Sequence, residues 1–283
     1  MMYALGVDSG TQGTKVVVVD LEGKVLGRGH YPHSFVGGLK PGESEQDPRA
    51  WMEALEKALA EALKKAKVSP SKIISLGISG QQHGFVPLDE KGLPIRSAKL
   101  WNDTSTVEET EIIVKKLGGS KSFIGKLGIS LAVGFTASKI LWLKRNEPKN
   151  YRNLSSVLLP HNYLNFCLSG KRHMEYGDAS GTGLMDIRNL CWNREALEAI
   201  DPELERNLPP LSHPAQPVGY IKENIARRFG MGKVLVSSGG GDNMMAAVGT
   251  GNTKPGVCTL SLGTSGTVYS YFDRPFVDPE GEI

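Results

Sequence analysis

The sequence predicts an α/β fold built on a mixed sheet with helices laid on its faces. Three observations carry this. Two successive hairpins open the chain, an amphipathic helix follows them, and another apolar strand comes directly after that helix. A β-β-β-α-β order combines an antiparallel meander with a crossover helix, which a purely parallel sheet does not contain.

Each element has its own signal. Tyr3-Ala4-Leu5-Gly6-Val7 is an apolar run ending in Asp8 and a turn. Residues 14–20 form a second run, rich in Val, and Leu21-Glu22-Gly23-Lys24 turns the chain back into a third strand over 25–31. Asp47 suits a helix N-cap and Pro48 the first helical position, while Trp51, Leu55, Leu59 and Leu63 recur at helical spacing. Residues 73–78 read as a buried strand, and Phe85-Val86-Pro87-Leu88 is expected to pair beside it. From 104 to 230 the chain reads as mostly helical, with helices over 107–117, 137–145, 194–200 and 221–229. The end returns to the opening pattern: a strand over 233–237, a glycine turn, a helix from 242, and a hairpin of 257–262 with 267–271.

A chain of 283 residues, 40% of them hydrophobic, can bury a sizeable core in one large or two modest domains. The net charge of +3, with no dense block of Lys and Arg, argues against a nucleic-acid surface. No run approaches the ~18 apolar residues that a membrane span needs. The N-terminus lacks the basic-then-apolar layout of a secretory signal. Cys167, Cys191 and Cys258 are scattered and odd in number, so buried thiols in a reducing compartment, the cytoplasm, are expected.

Four motifs offer chemistry. Asp8-Ser9-Gly10-Thr11-Gln12-Gly13-Thr14-Lys15 sets a carboxylate at a strand end before a hairpin of small and hydroxylated residues. Exposed N–H groups and hydroxyls there suit phosphate oxygens, and the acid suits a phosphate-bound Mg²⁺, directly or through water. It is not a Walker A loop, and a plain hairpin also needs such glycines. Leu262-Gly263-Thr264-Ser265-Gly266-Thr267 repeats the hairpin without the acid. Two such hairpins face to face could clamp a triphosphate. Ser237-Ser238-Gly239-Gly240-Gly241-Asp242-Asn243 ends a strand in glycines before an acid, either a helix cap or a general base for an attacking hydroxyl. Ser79-Gly80-Gln81-Gln82-His83-Gly84, with Trp101-Asn102-Asp103, supplies an amide, an imidazole, an indole and a carboxylate for a polyhydroxylated ligand, or else turn and capping chemistry.

These motifs occur in order with Ser44-Glu45-Gln46-Asp47-Pro48, Leu100-Trp101-Asn102-Asp103 and Gly134-Phe135-Thr136-Ala137-Ser138-Lys139. The set resembles the FGGY family of carbohydrate kinases, and its xylulose kinases most. The resemblance implies a ribonuclease-H-like, actin-like ATPase fold, with a sugar-binding domain over 1–250 and the start of a second, similar nucleotide-binding domain over 251–283. It implies ATP and Mg²⁺, and phosphorylation of a ketopentose, D-xylulose to D-xylulose 5-phosphate. Ribulose or glycerol is the alternative substrate, and a sugar-binding relative without turnover is the alternative class. Asp242 is then the catalytic base and Asp8 the acid that handles phosphate and Mg²⁺. Gln82, His83, Trp101, Asn102, Asp103 and Asn243 would hold the sugar. Ser9, Thr11, Gln12, Thr14, Lys15, Gly263 and Thr264 would attend the ATP phosphates. Gln82 departs from the Met common at its position. Partners are a small sugar, with room for a homodimer. The adenosine-binding segment of the family has no counterpart before Ile283, so the chain is expected to be a truncated N-terminal portion, inactive by itself.

Overall fold

The computed structural model describes residues 1–262 and 266–281. Strands β1 (Tyr3–Ser9), β2 (Gly13–Asp20) and β3 (Val25–Pro32) form the antiparallel meander. Alternation sets Leu5 and Val7 of β1 beside Val16 and Val18 of β2 on one buried face. Helix α1 (Pro48–Ala66) begins where the Asp47 carboxylate accepts the Arg49 backbone N–H, a capping bond that closes one open helical donor. Its Trp51, Ala54, Leu55, Ala58 and Leu59 are buried and Leu63 half-buried, as the spacing predicts. The chain then crosses into β4 (Ile73–Gly80), parallel to β1.

The middle of the chain is helical: α2 (Val107–Lys116), α3 (Thr136–Asn146), α4 (Pro160–Ser169), the short α5 (Tyr176–Ser180) and α6 (Arg194–Ile200). Several of these share a second core around Phe85, Phe123, Ile140 and Leu197, separate from the core under the sheet. The chain returns through β5 (Gly219–Tyr220), α7 (Glu223–Arg228), β6 (Leu235–Val236), β7 (Gly240–Gly241) and α8 (Asp242–Gly249), then ends in a hairpin of β8 (Cys258–Leu262) and β9 (Gly266–Ser270). The sheet runs β5-β6-β4-β1-β2-β3, with β7 also on β4. It is mixed, as the opening pattern requires.

Three expectations are corrected. Residues 85–88 do not pair beside β4, because β1 takes one of its edges and β6 and β7 take the other. A left-handed turn at His83 (φ 57°) leads the chain off the sheet, and Val86–Leu88 pairs with Ser156–Leu158 instead. The strand expected over 233–237 narrows to Leu235–Val236. The cysteines are free, but only Cys167 is partly buried, while Cys191 and Cys258 are exposed. Among the described residues, no helix is long and apolar enough to cross a membrane.

Candidate active site

The carboxyl ends of three parallel strands meet at one edge of the sheet. Asp8 of β1 lies opposite Ser79 of β4, and Ser79 lies opposite Gly240 of β7. Open α/β sheets bind ligands in the crevice beyond such strand ends. Here the ends deliver the Asp8 hairpin, the Gln82–His83 loop and Asp242. The approach of β7 depends on Gly239 (φ 70°), where a Cβ would lie 2.1 Å from the Ile78 carbonyl oxygen.

The β1–β2 hairpin closes with a Gly10 N–H bond to the Gly13 carbonyl, 3.1 Å. Asp8 is half-buried and accepts the Ser79 hydroxyl at 3.2 Å, with no cation paired to it among the described residues. One carboxylate beside an exposed hairpin fits Mg²⁺, which keeps several waters and takes its other ligands from phosphate. Ser9 and Thr14 require a correction. Both side chains are buried and their hydroxyls bond each other at 3.0 Å, so the two hydroxyls are spent inside the hairpin. Gln12 and Lys15 are exposed. Thr11 faces inward, where its hydroxyl accepts the Trp101 indole N–H at 3.1 Å and donates to Gln81 at 3.4 Å.

Behind Thr11 lies a buried amide relay. Gln81 donates to Gln46 Oε1 at 3.0 Å, Gln46 donates to the Thr11 carbonyl at 2.7 Å, and Trp51 of α1 donates to the same Gln46 oxygen at 2.8 Å. The hairpin and the β4 loop are therefore tied through α1.

A cavity of about 370 Å³ opens between these parts. Thr11, Gln82, His83 and Trp101 line one side, and Asp242 and Asn243 another. Ser261, Gly266 and Thr267 of the second hairpin complete it, so both hairpins border one space. Gly263 and Thr264 lie outside the described residues. Asn243 donates its amide to Gln82 Oε1 at 3.0 Å. Asn102 is exposed and does not line the cavity. Asp103 is a further correction. It is fully buried, accepting the Ser44 N–H at 2.8 Å, the Ser105 hydroxyl at 2.6 Å and the Lys99 ammonium at 3.1 Å. All its capacity goes to the loop, and its carboxyl is held below its ordinary value because these bonds outweigh burial.

Asp242 opens α8, with Gly241 as the N-cap, so it is not the cap itself. Burial pushes its pKa up to about 6; nearby Asp178 and Asp8 add to this, and an N–H bond from Asn243 opposes it. A carboxylate tuned toward neutrality suits a general base.

Sequence reasoning missed a buried cluster behind His83. The His161 ring lies 3.3 Å from Asp178 Oδ2 and 3.4 Å from Glu175 Oε1, with all three side chains essentially inaccessible. Burial works to lower the His161 pKa, but the two carboxylates outweigh it and push it up to about 9. Asp178 also lies 3.8 Å from His83 Nδ1. Burial lowers the His83 pKa, so the ring is neutral near pH 7. A larger surface hollow of about 940 Å³ contains none of the predicted residues, and its Arg49, Arg206, Asp89 and Glu90 present mixed charges.

The sequence profile of the FGGY family of carbohydrate kinases, N-terminal domain, matches residues 3–249. The chain belongs to the FGGY family. Among its curated FGGY relatives, a xylulose kinase of Haemophilus influenzae is 47% identical over 98% of this chain and 57% of its own length. One from Streptomyces coelicolor is 38% identical over 99% of this chain and 56% of its own. A solved kinase from Brucella ovis, described as a xyloylose kinase, superposes with a TM-score of 0.87 at 33% identity, covering 95% of this chain and 55% of that one. The chain thus spans little more than half the length of these FGGY relatives.

Proposed function

We propose that this chain carries the sugar-binding and catalytic part of an ATP-dependent kinase for a ketopentose, D-xylulose first, giving D-xylulose 5-phosphate. Residues 1–250 form the sugar-binding domain in this reading, and 251–283 begin a nucleotide-binding one. The observation that carries it is the single cavity bounded by Asp242, His83, the Gln82–Asn243 pair and the Thr11 hairpin. The xylulose kinase relatives supply the sugar.

In this reading the ketose enters between His83 and Trp101, with hydroxyls meeting the imidazole and the Gln82 and Asn243 amides. Asp242 accepts the proton of the attacking hydroxyl, which its raised pKa favours. ATP supplies the phosphoryl group and Mg²⁺, when bound, offsets the phosphate charge. Asp8 would hold the metal, directly or through water, and the Gly10–Gly13 turn and Thr11 would position phosphate oxygens.

Gln82 favours a second reading. An amide in place of Met can bind a hydroxyl, so ribulose or another polyol is the alternative. A non-catalytic relative accounts poorly for a carboxylate tuned like Asp242. The test is ADP release by the intact protein across xylulose, ribulose and glycerol. Turnover on D-xylulose with the highest kcat/KM supports the reading, and no turnover on any of them overturns it.

A further inference from the structure

The stretch from Gly134 to Lys139, which opens α3, has been given no role in the chemistry assigned above, yet it packs directly behind His83 and Trp101. Its last residue, Lys139, is fully buried. The Lys139 ammonium donates to the His83 carbonyl at 2.8 Å and the Gly134 carbonyl at 2.5 Å. Among the described residues, no carboxylate forms an ion pair with it. The other fully buried lysine differs: Lys99 meets Asp103 at 3.1 Å and Glu45 at 3.3 Å, and its ammonium also lies over the Trp142 ring. A buried ammonium whose hydrogen-bond partners are two neutral carbonyls is costly, so its placement calls for a reason.

The two carbonyls belong to the two turns behind the sugar-facing side chains. His83 adopts a left-handed backbone, which a non-glycine residue keeps only when its surroundings impose it. Lys139 grips its carbonyl, Thr136 Oγ1 donates to the same oxygen at 3.2 Å, and the Phe135 ring packs on the imidazole with centroids 4.6 Å apart. Gly134 sits at φ 98°, flush against the backbone of Trp101, where a Cβ would come 2.3 Å from the Trp101 carbonyl oxygen.

We infer that Lys139 is a positioning residue for the sugar site: by joining the His83 and Gly134 turns it fixes the imidazole and the indole, and so sets sugar affinity without touching the sugar. The inference rests on the sugar-kinase reading. Burial lowers the Lys139 pKa to about 7, with Asp103 and Asp178 raising it and Lys99 lowering it further; a neutral amine still donates to both carbonyls.

The experiment compares wild type with Lys139→Met in the intact protein. The sugar KM and the calorimetric sugar Kd should rise roughly 10- to 100-fold, as expected for losing buried hydrogen bonds at one site. The ATP KM and saturating kcat should stay within about threefold, because the nucleotide and proton-accepting groups are untouched. A merely structural lysine would instead lower the melting temperature and move both KM values and kcat together. Should Lys139→Met fail to fold, Thr136→Val removes the second bond to the same carbonyl and should raise sugar KM about three- to tenfold. An unchanged sugar Kd in a folded Lys139→Met, or in Thr136→Val where the first variant does not fold, overturns this inference alone. Absence of sugar turnover in wild type overturns the kinase reading and this inference with it.

Discussion

Asn243, the second residue of α8, donates its side-chain amide to Gln82 Oε1 across 3.0 Å, joining the loop after β4 to the helix that begins with Asp242. The bond uses the Gln82 acceptor, and among the described residues neither Gln82 N–H donor has a protein partner.

Gln82→Met removes those donors and frees the Asn243 amide. The ranking of ketoses by kcat/KM should change, with sugar KM moving up to about tenfold, as losing a hydrogen bond of ~0.5–1.5 kcal/mol permits. ATP KM should hold. Steady-state kinetics on a sugar panel checks this, and an unchanged ranking would remove Gln82 from selectivity.

Asp242 must be ionised to accept a proton. With its pKa raised to about 6, kcat/KM should fall tenfold per unit as pH drops below that value. Asp242→Asn should cut kcat by ~10²- to 10⁴-fold, with a smaller effect on sugar binding. A pH profile flat from 7 to 5 would contradict the assignment.

Asp8→Asn preserves shape and the contact with Ser79 while removing the charge. Activity should drop and the Mg²⁺ concentration for half-maximal rate should rise, since a carboxylate is the natural ligand of this ion. A Mg²⁺ titration decides, and an unaltered midpoint would reduce Asp8 to a hairpin residue.

His161 makes a stability prediction. Its folded pKa, about 9, exceeds the ordinary 6.5, so the folded protein holds this proton more tightly than the unfolded chain. The added stability is complete below pH 6.5 and is lost as pH rises through about 9. His161→Gln should be less stable than wild type at pH 6, and the gap should close by up to about 3 kcal/mol toward pH 9.5. Lys139, lowered to about 7, acts in the opposite sense, so the comparison is between the two proteins at each pH. A gap constant in denaturant melts would mean that His161 is not charged.

Local chemistry was legible where neighbouring residues decide it. Val-rich runs around the Leu21–Lys24 turn, the Asp47–Pro48 helix start and the glycines before Asp242 each announce their geometry within a few positions. What could not be read depends on distant packing. His161 of α4 meets Glu175, the residue before α5, and Asp178 within α5 only in the folded chain, and no spacing in the sequence links them. Asp103 and Asp8 look alike as acids beside turns, yet the Ser44 N–H, 59 positions away in sequence, joins Lys99 in claiming the first, while among the described residues no cation pairs with the second. Ser9 and Thr14 sit among the hairpin hydroxyls, but strand alternation turns them inward.

The register of β1, β4 and β7 acts as a distance gauge. Asp8, Ser79 and Gly240 stand abreast on adjacent strands, so the Asp8 backbone and the glycines before Asp242 are separated by two strand spacings, roughly 10 Å. A hydrogen-bonded sheet stretches very little, so this interval is dictated by backbone geometry alone. The loop carrying Gln82 and His83 leaves from the strand between them and can diverge without altering it. On the roles proposed for Asp8 and Asp242, changes of sugar preference in such a scaffold need no recalibration of the span between the two strand ends that carry them.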